Sequence, residues 1–104
     1  MHYTKIIGGK IYSTQTATKI CELDCRHNRG DFGWHDTAMY RTANGAFFLA
    51  GKGGARSMWA TSIQNGSSGG EGIRVISEED AREIAERELT PEKYEEVFGV
   101  AEDA

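Results

Sequence analysis

Thr37-Ala38-Met39-Tyr40-Arg41-Thr42-Ala43-Asn44-Gly45-Ala46-Phe47-Phe48-Leu49-Ala50-Gly51 is the stretch whose reading decides the fold. Asn44-Gly45 lies at its centre, with strand-forming residues on both sides. Asn-Gly tolerates the positive φ values of a type I′ turn, so the stretch predicts a β-hairpin with a two-residue loop. In that register Tyr40 faces Leu49, Thr42 faces Phe47, Met39 faces Ala50 and Arg41 faces Phe48. Both faces of the hairpin then carry aromatic or large apolar groups. Either helices cover one face and the other is partly shielded, or one face is an interaction surface.

Upstream, Tyr3 to Ile7 and Lys10 to Tyr12 flank Gly8-Gly9 and predict a short hairpin. Lys19 to Arg26 alternates, with Ile20 out of phase with Cys21, Leu23 and Cys25, which suggests one mainly buried face. Asn28 to Gly33 reads as a loop. Downstream, two glycine-rich stretches (52–56 and 64–70) bracket Ser57 to Ile63, a candidate short helix, and Ile73 to Ile76 predicts a brief strand. Ser77-Glu78-Glu79-Asp80 resembles a capping box with Asp80 in place of Glu or Gln. It opens a helix whose apolar stripe is Ala81, Ile84, Ala85 and Leu89. Thr90-Pro91 caps a second helix presenting Tyr94, Val97 and Phe98, which Gly99 ends.

Strands precede helices, so the expected fold is α+β. It is a meander-like antiparallel sheet of four to five short strands with two C-terminal helices on one face. At 104 residues one domain over 1–99 is expected, with 100–104 as a frayed tail. The helices are too short to stand alone, and the expected docking ground is Tyr40, Leu49 and the Ile73–Ile76 strand. The longest apolar run, Ala46 to Ala50, is far short of a membrane span, and no secretion signal is evident. With only Cys21 and Cys25 present, reduced thiols in a cytoplasmic setting are expected. In an extended chain their Cα atoms lie roughly 13 Å apart, beyond the reach of about 7 Å that a disulfide allows.

The net charge of −4 conceals a polarity. Residues 71–104 carry twelve acids and four bases, a net of −8, whereas residues 1–70 carry eight bases and four acids, a net of +4. Such a separation can steer partners, although exposed helices also favour Glu for its propensity alone. Glu83, Glu86 and Glu95 are the candidate contacts on the acidic helices, and Arg41 and Phe48 those on the hairpin. Nucleic-acid binding is the alternative. It would use the basic sheet region, with Lys52 and Arg56 foremost and Phe32, Trp34 and Trp59 nearby.

Cys21, Cys25, His27, Asp31 and His35 form the one cluster with metal-ligand chemistry, which makes a zinc-stabilised domain a further alternative. The spacing C-x3-C-x-H-x7-H is not a standard ribbon or finger signature, and no cofactor is expected. Cys25 and His27 are also conceivable as a nucleophile pair, but no third orienting group or oxyanion motif accompanies them. Gly51 to Ser57 sets Lys52 and Arg56 among flexible amides, a candidate anion nest that matches no phosphate-loop fingerprint. The helical carboxylates have no apolar pocket to shift them, so no enzymatic activity is expected.

The run Met39 to Gly54, then Asn65 to Gly70, then Ile73 to Ala81, with the opening Gly9 to Thr14 and Thr16 to Thr18, resembles a family of small uncharacterised proteins. That family is carried on prophages, plasmids and integrative elements of gut and Gram-positive bacteria. It has no settled activity, so the resemblance implies no catalytic residue, and its pattern does not depend on Cys21 or Cys25. What it implies is a protein that acts by binding a host protein or nucleoprotein complex. Inhibitors of host defence such as anti-CRISPR proteins, and regulators of the element itself, are of this kind.

Overall fold

The computed structural model describes residues 2–25, 28 and 30–103. Its strands are β1 (Thr4–Ile7), β2 (Lys10–Ser13), β3 (Thr18–Glu22), β4 (His35–Arg41), β5 (Phe47–Gly53), β6 (Thr61–Ile63), β7 (Gly66–Ser68) and β8 (Gly70–Ile76). Two helices follow, α1 (Glu78–Glu88) and α2 (Pro91–Phe98). The expected α+β class holds. The main antiparallel sheet has the order β3-β4-β5-β8, and β1-β2 and β6-β7 are separate hairpins. Ser57 to Ile63, expected as a short helix, is instead a turn leading into β6.

The β4–β5 hairpin forms, but not with the expected loop. Gly45 N–H donates to the Thr42 carbonyl (2.9 Å), and Thr42 N–H donates to the Ala46 carbonyl (2.8 Å). Gly45 has φ of 87°, while no described non-glycine residue, Asn44 included, has positive φ. This is a type I turn followed by a left-handed glycine bulge, one residue longer than a type I′ loop. The register therefore moves by one, to Met39↔Leu49, Tyr40↔Phe48 and Arg41↔Phe47. A one-residue slip changes which side chains share a face. Tyr40, expected beneath the helices, lies on the opposite face.

On the helix side, Met39, Phe47, Leu49 and Trp59 pack with Ala81 and Ala85 of α1. The two alanines let α1 approach the sheet closely. Phe98 of α2 stacks on Phe47 (5.4 Å between centroids), and Arg82 lies over Phe98 (4.8 Å) while donating to the Tyr94 hydroxyl (3.3 Å). The two helices are thus joined by one side chain. The predicted caps are in place: Asp80 N–H donates to Ser77 Oγ (3.1 Å), and Lys93 N–H to Thr90 Oγ1 (3.3 Å). A register shift in β3 between Lys19 and Cys21 inserts Ile20, and both Ile20 and Cys21 pack against this core. The phase conflict seen in the sequence is resolved by that bulge.

The other face is covered by β1–β2, whose Gly8 and Gly9 both take positive φ (60° and 79°) as a two-residue I′ loop requires. Tyr12 meets Phe48 edge-on (5.7 Å) and Tyr40 stacks on it from the sheet (5.3 Å). Phe48, Ala50, Ile73 and Tyr12 make this second core. The main sheet is therefore sandwiched between a hairpin and a helix pair.

Candidate functional site

The two covers differ in charge as well as in structure. Residues 78–98 contain nine acids and three bases, whereas residues 3–14 contain two bases and no acid. On α1 the exposed acids Glu79, Glu83 and Glu86 follow one another at helical spacing along a single face. Among the described residues the helix ion pairs are Arg82–Glu78 (3.4 Å), Arg87–Glu88 (3.6 Å) and Lys93–Glu96 (3.5 Å). None of them engages Glu79, Glu83 or Glu86. Glu88 has a structural role, accepting the Asp24 N–H (3.0 Å) and so tying the end of the β3 segment to α1.

Between α1 and α2 lies a cleft of about 330 Å³ whose apolar lining is Leu89, Pro91 and Tyr94. Glu86, Glu95 and Ala101 complete its lining. Glu95 Oε2 accepts the Ala101 N–H (3.1 Å), one contact between α2 and the segment after Gly99. Leu89, Pro91 and Tyr94 read in sequence only as capping and packing residues; that they line a cleft has no local signal, because the lining comes from both helices and from Ala101 beyond them.

The other expected contact residues are not brought together. Phe48 is fully buried (0% exposed) beneath Tyr12 and Tyr40 and offers no surface to a partner, which corrects its place among the contacts. Arg41 lies over the Phe47 ring (5.9 Å) and donates to the Val97 carbonyl (3.4 Å), bracing α2 against the sheet. It lines a cleft of about 530 Å³ with Lys19 and Lys93. Those two cations are already paired, to Glu22 (2.9 Å) and Glu96 (3.5 Å). Lys52 stands in register between Asp36 on β4 and Glu71 on β8, so opposite charges flank it across both ladders. Arg56 is exposed in a loop. Lys52 and Arg41 sit at opposite ends of the β4–β5 ladder and are not brought together.

The anion-nest expectation fails because its amides are occupied. Gly54 N–H donates to the Trp34 carbonyl (2.8 Å), Arg56 N–H to the Phe32 carbonyl (2.8 Å) and Ser57 N–H to the Gly54 carbonyl (3.0 Å). A Cβ at Gly54 would sit 2.5 Å from the Phe32 carbonyl oxygen, so the glycine serves close backbone packing.

Of the metal candidates, His27 lies outside the described residues. Cys21 and Cys25 are not joined in a disulfide, and among the described residues no three His, Cys, Asp or Glu side chains converge. Cys21 faces the helix core, where burial pushes its thiol pKa up and the Glu88 carboxylate adds to the effect, opposite to what a reactive thiolate needs. Cys25 Sγ accepts the His35 N–H (3.3 Å). His35 Nδ1 lies 2.9 Å from Thr37 Oγ1, which also accepts the Trp59 Nε1–H at 2.8 Å. This buried chain had no signature in the sequence, because it joins residues from β4 and a distant turn.

Among the described residues no helix is long and apolar enough to cross a membrane. No family model, curated protein or solved structure matches the chain.

Proposed function

We propose that the protein is a non-enzymatic binding module that inhibits or regulates a host protein or nucleoprotein complex by presenting its acidic helices to a basic surface. The observation that carries this reading is the unpaired acidic face of α1. Glu79, Glu83 and Glu86 follow one another along one helical line, and the cations at helical spacing from them are engaged elsewhere, Arg82 with Glu78 and the Tyr94 hydroxyl and Arg87 with Glu88. A basic partner would neutralise that line and be steered by it. The setting, a mobile element whose product blocks a defence complex as anti-CRISPR proteins do, is supported by the motif resemblance over Met39 to Ala81.

Capture from a host lysate tests the reading. Wild-type protein should retain a specific partner in a salt-dependent way, and the charge-reversed variant E83K/E86K/E95K should lose it. Undiminished retention by that variant would dispose of the acidic-face reading. Nucleic-acid binding through the basic sheet region has weaker support, because Asp36 and Glu71 flank Lys52. A zinc-stabilised domain would have to draw on His27 together with Cys25 or His35.

A further inference from the structure

We infer that the cleft between α1 and α2 is a receptor for a single arginine side chain from a basic segment of the partner protein. This rests on the reading of the acidic helices as the partner face and gives that face a specific anchor.

Three observations converge on it. The first is the position of the acids. Glu86 lies in the last turn of α1, and Glu95 in the last turn of α2, which has no basic residue there. The negative end of the helix dipole disfavours carboxylates at these positions, so the dipole does not account for them. The Ala101 N–H satisfies only Oε2 of Glu95, and among the described residues Glu86 has no partner.

The second is the shape. A volume of about 330 Å³ is small, near the lower end of the roughly 300–1,000 Å³ that ligand pockets span, so it admits one side chain and not a folded element. The third is the chemistry of the lining. Leu89, Pro91 and Tyr94 in the lining offer apolar surface to an aliphatic stem, while Glu86 and Glu95 in the same lining offer acceptors to its charged head.

The alternatives fit less well. A purely apolar side chain would desolvate two carboxylates with nothing in return. A phosphate would be repelled, and two carboxylates in an otherwise apolar lining are too few oxygen ligands for a hard cation. Arginine is favoured over lysine because its planar guanidinium lies flat on Pro91 and Tyr94 and donates to carboxylates in a fork.

The test is an amide-resolved NMR titration of the full chain with a short peptide carrying two arginines between glycines. Matched peptides carrying lysine and neutral citrulline serve as controls. Shifts should concentrate at Leu89, Tyr94, Glu95 and Ala101, with arginine binding more tightly than lysine and citrulline giving none. The double variant E86Q/E95Q should weaken the arginine peptide by about tenfold, the loss expected for one charge-assisted contact. These glutamines keep the shape and still accept from Ala101, so folding is not at issue. E79Q/E83Q should change the affinity less than twofold. If the shifts spread evenly along α1, or both double variants weaken binding alike, the cleft is not the receptor although the acidic face remains. Absence of any shift with the arginine and lysine peptides alike overturns the cleft, and loss of partner capture by E83K/E86K/E95K would then still uphold the wider reading.

Discussion

The two faces of the main sheet are covered by unlike structures, and the contrast is the basis of the proposed interface. The helix cover is pinned by caps, by Arg82 between its members and by the Phe47–Phe98 stack, and it turns a dense set of acids outward. The hairpin cover is pinned chiefly by Tyr12 against Phe48 and by the Tyr3 hydroxyl donating to Glu71 (3.3 Å). It turns outward the cross-strand pair Ile6 and Ile11, 69% and 66% exposed. The helix cover is thus acidic, whereas the hairpin cover carries two bases and no acid over residues 3–14.

The strongest way to break the contrast is to empty the core beneath the hairpin. Phe48→Ala removes a fully buried ring held between two tyrosines and should cost about 3–5 kcal/mol. Urea denaturation of this variant is expected to show a large drop in midpoint, and a loss under 1 kcal/mol would mean the hairpin does not pack there. On the helix side, Thr37→Val leaves the buried Trp59 Nε1–H without its acceptor. A loss of about 1–3 kcal/mol is expected in the same measurement. Ser77→Ala removes only the cap of α1, and about 1 kcal/mol should go, with reduced helix content by circular dichroism.

The smallest effect concerns pH. The Cys21 thiol is raised above its ordinary range in the folded state, chiefly by burial. Its contribution is therefore full below the unfolded thiol pKa and is lost as pH rises through the folded one. Thermal melts should show wild type losing stability between pH 8 and 10 more steeply than Cys21→Ala, over and above other titrations, and parallel curves would contradict the burial.

What the sequence made legible was local. Ser77 and Thr90-Pro91 mark helix starts because capping is settled within a few residues, and Gly8-Gly9 marks its hairpin for the same reason. The register of β4–β5 was not legible, because Asn44-Gly45 suits either a type I′ loop or a type I turn with a glycine bulge. That one residue decides whether Tyr40 or Met39 lies beneath α1. The strands β6 and β7 are not legible in the sequence because Thr61-Ser62-Ile63 and Gly66-Ser67-Ser68 carry almost no apolar signal. Of the candidate contacts, Glu83, Glu86 and Glu95 lie at exposed or half-exposed helix positions. The burial of Phe48 was not legible, since Tyr12, which covers it together with Tyr40, comes from a distant hairpin.

Hydrogen exchange of the protein alone and bound to its captured partner tests the central claim most directly, because it compares both covers in one experiment. The account predicts slowed exchange over residues 78–101, strongest around Leu89 to Glu95, with residues 3–14 unchanged. Slowing confined to residues 3–14, with the helices unaffected, would contradict it.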